Sequence, residues 1–348
     1  MLNLDTEYGY LSMTYHHSTS RRRFLGAAAT AGIATLTTIP TVAGATVWRQ
    51  AASPTDRTLH DVGFALDGAY AVGESGLLLE RDAGNWRVIT DGGPDGNGDD
   101  QFGLDATDDG ESVWFVGASG TIGEYDVTTG LLGDPSGPDD HSTPDDYTGN
   151  FRDVAVTGDR GEANVYVVDD SGYVHYSFDD GENWEYVSPG SGSEIPAIDF
   201  HEDTSGHLAD TNQAVFETDT VESWNRIGIE DVDENFYGIS SNNDDDVWVC
   251  GSRGTVFHYD GQWRETSLGG LTLRSIDVAA ERNRGLTAGS GGRVFRKTGA
   301  WTEETTPTER RLRSIVRGDP GGLTFQPTVS DLPDVAVGED GTIIENDS

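Results

Sequence analysis

Seven short segments of this chain align with one another without gaps, and this repetition restricts the fold more than any other feature. They are "YAVGESGLLLE", "WFVGASGTIGE", "YVVDDSGYVHY", "LADTNQAVFET", "WVCGSRGTVFH", "LTAGSGGRVFR" and "VAVGEDGTIIE". Their shared turn position falls at Gly76, Gly120, Gly172, Gln213, Gly254, Gly292 and Gly341, at spacings of 38 to 52 residues. Units of that length cannot bury a core alone and match the blade of a β-propeller.

Each unit reads as four short strands separated by turn residues. The first is of the "DVAV", "RSIDVA" or "YGIS" type, the second ends in the apolar run before the turn, and the third is of the "GTVFHY" type. The fourth begins at a tryptophan: Trp86, Trp184, Trp224, Trp263 and Trp301, with Leu132 standing in for it in the second unit. Tryptophans at these positions are expected to pack between neighbouring blades. The seventh unit stops at "TIIENDS", with no fourth strand. At the other end of the repeats, "TVWRQ" (46–50) resembles "NWRVI" and "QWRET", so Trp48 and Arg49 are expected to complete the seventh blade. Closure of this kind hides the sheet edges that would otherwise aggregate. The expectation is an all-β, seven-bladed propeller occupying residues 46–348 as one domain.

The formal charge is -39, with 61 acidic residues against 22 basic ones, and Lys297 is the only lysine. In molar salt the screening length falls to roughly 3 Å, so such a surface ceases to repel itself while its carboxylates stay hydrated. The composition therefore points to a salt-adapted cell and to a fold weakened in dilute buffer. It argues against DNA or RNA as partner, since no basic footprint for phosphates is present. A single cysteine, Cys250, excludes an intrachain disulfide and a four-cysteine metal site.

"SRRRFLG" (20–26), the mildly apolar run 26–42 and the small residues Ala43, Gly44 and Ala45 have the three regions of an export signal. Ser20, Arg21, Arg22, Phe24 and Leu25 fit the twin-arginine consensus. Residues 1–45 are therefore expected to be a twin-arginine signal peptide, with Met13 a plausible true start, and the protein to be extracellular or attached to the cell surface. The apolar run is too short and too rich in Ala, Gly and Thr for a membrane span, an uncleaved anchor being the alternative.

"LRSIVRGDPGG", "AVGEDGTII" and "DDGENW" resemble the repeat of the photosystem II assembly factor-like propellers, part of the wider WD40/YVTN/BNR-like, or Asp-box, repeat group. The resemblance spans residues 46–348 through short, degenerate motifs. It implies a seven-bladed, non-enzymatic propeller that binds partner proteins. It also implies that Ser177, Asp179, Gly181 and Trp184 form an Asp-box turn between third and fourth strands, on the face opposite the binding surface. Asn183 replaces the usual threonine of that box. The residue types agree with a structural turn: a short polar side chain bonds turn amides, glycine permits a positive dihedral, and tryptophan anchors the next strand.

A binding surface is sought at the second residue of the first strand in each unit, read as His60, Gly103, Arg152, Pro196, Tyr237, Arg274 and Arg313. These side chains are expected to ring one mouth of the central channel. In a closed ring Arg274, Arg313 and His60 become neighbours and offer forked hydrogen bonds to an anion or carboxylate. The resemblance places arginines at this repeat position on the partner surface. The alternative is that each arginine pairs with an acid of a neighbouring blade, such as Asp153 or Asp277.

Other chemistry is thinly represented. Asp95, Asn97 and Asp99 alternate like the start of a calcium loop, but Asp100 and Ala106 stand where glycine and glutamate are needed. The eight histidines show no metal-protease spacing, and neither a phosphate loop nor a nucleophile elbow is present. A sialidase-like glycoside hydrolase would need a carboxylate pair and the arginine-isoleucine-proline motif, which is absent. The polar stretch 133–150 reads as a surface loop. The functional expectation is a monomeric, exported, non-catalytic module, without cofactor, that binds a protein or cell-envelope component through its channel mouth, the alternative being an Asp-box glycosidase.

Overall fold

The computed structural model describes residues 47–131, 137–229, 232–280, 283–318 and 332–347. The expected signal (1–45) and Leu132 lie outside the described residues. Seven four-stranded antiparallel sheets follow one another along the chain, and the seventh borrows its outermost strand from the N-terminal side. We number the blades by their innermost strands: Leu59–Ala65, Gln101–Ala106, Phe151–Thr157, Ala197–Phe200, Phe236–Asn243, Leu273–Val278 and Leu312–Val316.

Ring closure takes place at Arg49–Gln50, which pairs with Glu345 and Ile344 of blade seven. Trp48, just before that strand, is buried among Leu286, Ala288 and Val294 of blade six and Leu312, Ile315 and Ile344 of blade seven. Its indole N–H donates to Glu304 at 2.7 Å.

The core is divided among the seams between blades. Trp86 packs with Leu59 and Leu79 against Val335, Val337 and Ile343 of blade seven. Trp184, Trp224, Trp263 and Trp301 sit in the corresponding places at the next seams that have a tryptophan. The seam between blades one and two has none and is filled by Leu104, Phe115 and Tyr125 against Tyr70, Val72 and Leu78.

Blade two corrects one expectation. Its fourth strand is Asp139–Asp140, inside the polar stretch expected to be a loop, and it pairs with Gly123 and Glu124. An outermost strand needs backbone partners on one side only, so two exposed aspartates serve there and leave no apolar signature in the sequence. His141 follows, and its ring lies 4.7 Å from that of Trp114, on the side that faces blade three.

The seven aligned turn positions all adopt positive φ, including Gln213 at +69°. At Gly341 an added Cβ would stand 2.0 Å from the carbonyl oxygen of Thr55, so the turn also presses on the connection entering blade one. Only a missing side chain permits that approach.

Candidate functional site

The Asp-box turn is held together from within. Ser177 Oγ donates to Asp179 at 2.8 Å and accepts the Gly181 amide at 3.0 Å. Asp179 also accepts the Asn183 amide at 2.9 Å, and the Trp184 indole donates to the Gly181 carbonyl at 2.9 Å. The hydrogen bonds from Asn183, and then that from Ser177, hold the Asp179 carboxyl below the usual carboxylate range. Gly181, at φ +79°, lies so close to blade two that a Cβ would meet the Trp114 ring and His141 Nδ1, each at 2.8 Å. The motif therefore fastens blade three onto blade two. Gly181→Ala combines backbone strain with overpacking and is expected to cost about 2 to 4 kcal/mol in chemical denaturation. A loss under about 0.5 kcal/mol, the size of an ordinary surface change, would refute this role.

On the opposite face, each innermost strand of blades one, two, three, five, six and seven begins with a register shift after its first residue. The bulged residues are His60, Phe102, Arg152, Tyr237, Arg274 and Arg313. A bulge leaves its residue unpaired and re-aims the side chain, here into the channel mouth. All six, with Pro196, line the central cavity of about 310 Å³. The position in blade two thus belongs to Phe102 rather than Gly103, which pairs with Val116 in the ladder. Counting from the buried Gln101 as the equivalent of Leu59 would have found it.

The mouth residues form two groups. Arg152 lies over the Phe102 ring at 5.2 Å and is flanked by Glu194 at 2.9 Å and Asp170 at 3.7 Å. Arg274 lies over the Tyr237 ring at 4.8 Å and has no ion pair among the described residues. Arg313 reaches Glu339 only at 3.5 Å, and that carboxylate is already held by Arg311 at 2.9 Å. Among the described residues, Nε of Arg274, Nε of Arg313 and Nε2 of His60 are buried without a hydrogen-bond partner. Burial, then the Arg311 charge, lowers the pKa of Arg274; burial, then Arg274, lowers that of Arg313. Burial, then the Arg313 charge, brings His60 down to about 4, so it is neutral at pH 7.

The acids named as possible arginine partners are engaged elsewhere. Asp153 accepts the amides of Val154 at 2.9 Å and of Ile198, in blade four, at 3.0 Å. Asp277 takes the amide and guanidinium of Arg317. The same arrangement recurs around the channel. Asp61 accepts from Leu104, Asp105 from Val156, Asp199 from Ser241, Ser240 from Val278 and Ser275 from Ile315, each bond crossing to the next blade. A hydrogen bond between Ser314 and Asp61 closes the circle. Sequence reasoning missed this ring, although aspartate or serine recurs two or four residues after the first buried residue of every innermost strand.

The calcium-like stretch forms no cage. Asp95 accepts the Asn97 amide at 3.0 Å, whereas Asp99 accepts from Ser119 at 3.0 Å. Among the described residues no group of three or more His, Cys, Asp or Glu side chains is placed to hold a metal ion. Cys250 is buried, which pushes its thiol up to about 12. Among the described residues no helix is long and apolar enough to cross a membrane.

No family model matches the sequence, and no curated protein does. Solved structures do share the architecture. The WD40 β-propeller domain of Doa1 superposes with a TM-score of 0.66 at 14% identity, over 87% of this chain and 97% of that one. YCF48 bound to D1 peptide gives 0.65 at 14% identity, over 89% and 100% of the two chains. YCF48 from Cyanidioschyzon merolae gives 0.62 at 15% identity, over 86% and 98%. At such identities the likeness is one of fold: the chain is a seven-bladed β-propeller similar in structure to YCF48 and WD40 propellers.

Proposed function

We propose that this protein is an exported, non-catalytic propeller that binds a protein or cell-envelope component at its channel mouth, receiving a carboxylate of the partner between Arg274 and Arg313. One observation carries the reading: Arg274 is a half-buried guanidinium without an acid partner among the described residues, in a chain whose net charge is -39. Unpaired buried polar atoms are costly, and Arg274, Arg313 and His60 place three of them around one opening, the two guanidinium nitrogens being donors. An incoming carboxylate satisfies the guanidinium donors through a planar fork, and Tyr237 holds the Arg274 plane in position beforehand.

The non-catalytic part of the reading is supported by the channel acids. A glycosidase needs one carboxyl free to give a proton and another free to attack or activate water. Asp61 and Asp153 instead have both oxygens on backbone amides. Recognition of a polypeptide is supported by one of the structurally similar propellers, YCF48, which has been solved with a D1 peptide bound. Export rests on the twin-arginine pattern at Ser20–Leu25.

The test is affinity capture from a high-salt extract, comparing the wild type with Arg274→Gln/Arg313→Gln. The double variant is expected to fold, since neither side chain is a member of a tight ion pair, and to lose its partner by at least about tenfold, the cost of one charge-assisted bond. Unchanged capture by a folded double variant would retire the mouth as the binding site.

A further inference from the structure

A second polar cluster, in the seam between blades four and five, plays no part in the mouth. His207 Nδ1 lies 2.7 Å from Ser241 Oγ, and His201 Nδ1 lies 2.9 Å from the same oxygen. His201 Nε2 lies 3.1 Å from Asp244 Oδ1. The residue types are those of a hydrolytic triad, but Ser241 is 0% exposed, in the middle of a strand, and offers no approach to a substrate.

The chemistry of the groups fixes the direction of the chain. A carboxylate only accepts, so His201 carries its proton on Nε2 and presents a lone pair at Nδ1. The Ser241 hydroxyl donates to that lone pair, and its oxygen then accepts from His207 Nδ1–H. This leaves His207 Nε2 as a bare lone pair, and that atom is buried with no partner among the described residues. His207 is 1% exposed and His201 3%. The chain therefore runs from Asp244, whose side chain is 82% exposed, to a buried base that has no acceptor for a second proton.

We propose that this seam is an acid-sensitive latch: protonation of His207 at Nε2 places a buried charge and an N–H without an acceptor between blades four and five, and opens the seam locally. The two histidines face Asp199, Glu202 and Glu217 of blade four and Asp244 of blade five. Of these, Asp199, Glu202 and Asp244 favour the charged form of His201, which burial opposes. His207 has no such support: burial, then the His201 charge, bring it down to about 3 from 6.5. For a histidine depressed in the folded state, the open form binds the extra proton between those two values. The closed seam is therefore fully favoured above about pH 6.5 and is lost as the pH falls toward 3. The strand that bears Ser241, Phe236–Asn243, also bears Tyr237, so the latch and the mouth share one element.

Hydrogen exchange read by mass spectrometry at constant molar salt tests the latch. Once corrected for intrinsic rates, protection of Gly206–Ala209 and Phe236–Asn243 is expected to fall by at least about tenfold per pH unit below pH 6.5, since His207 takes up a proton on opening and His201, also held low by burial, adds to the fall. In His207→Asn, whose Nδ2–H can still donate to Ser241, that loss should shrink by about tenfold per unit. Equal acid loss in wild type and variant, or a wild-type seam whose protection does not change with pH, overturns the latch. Should His207→Asn fail to fold, exchange at the imidazole C2–H of the wild type decides. The latch requires His207 to titrate far below 6.5, and an ordinary midpoint near 6.5 overturns it.

Discussion

Deleting residues 46–52 is expected to abolish soluble folding. The closing strand is only two residues long, yet it carries more than its ladder. Ala51 N donates to the Ile343 carbonyl at 2.9 Å, and the Gln50 amide reaches the same oxygen at 3.0 Å. Trp48 is 2% exposed and covers the apolar seam between blades six and seven. Its Glu304 acceptor is also gripped by both Nε and Nη2 of Arg296, which bonds Asp334 of blade seven as well. Without the strand, blade seven presents a bare edge and an uncovered apolar face, and only the side-chain contacts between blades seven and one remain to join the ends of the ring. Trp48→Ala alone should cost about 3 to 5 kcal/mol, since the cavity lies in a seam whose walls are fixed by two sheets. Arg49→Ala should cost under about 1 kcal/mol, because the Arg49–Asp347 pair is solvent-exposed. Denaturant unfolding in molar salt separates these outcomes, and a soluble truncated chain with wild-type stability would refute the closure.

The fold was legible because the features that make a blade are local and repeated. The glycine turn, the apolar second strand and the tryptophan of the fourth strand each have a steric or burial requirement that few residues meet. What escaped sequence reasoning lacked such a requirement. Asp139–Asp140 forms a strand through backbone bonds alone, and the seam between blades one and two is filled by Leu104, Phe115 and Tyr125 without a tryptophan. The shift from Gly103 to Phe102 arose because a bulge has no residue signature of its own. At the mouth, composition and spacing located the arginines, but only the structure separates Arg152, which is flanked by acids, from Arg274, which has no ion pair among the described residues. The aspartate ring was hidden in plain view, since acidic residues in so acidic a chain read as solvated surface.

That ring makes Asp153→Ala the second most damaging change expected. The substitution leaves the amides of Val154 and Ile198 without acceptors in the wall of a narrow channel, and it severs blade three from blade four at the innermost strand. Two unsatisfied buried donors cost about 2 to 5 kcal/mol together. The adjacent Arg152→Gln, which loses only a partly solvated pair, should cost under about 1 kcal/mol. The two acids also give the ring a pH dependence opposite in sign to that of the histidine latch. Burial raises Asp61 to about 6, against the hydrogen bonds it accepts, and burial, then the Asp61 charge, raises Asp153. A carboxyl raised in the folded state holds a proton that the unfolded chain releases. Its contribution to stability is therefore full below about 3.8 and is lost as the pH rises through about 6. Asp61→Asn should flatten this part of the profile while weakening the fold, because an amide group can accept only one of the two backbone N–H bonds. Denaturation of both chains between about pH 3 and 8 at fixed salt is the check, the range spanning the folded and unfolded midpoints. An Asp61→Asn profile with the wild-type slope would mean that the channel carboxyls keep their charge in the folded ring, with channel water screening them from one another.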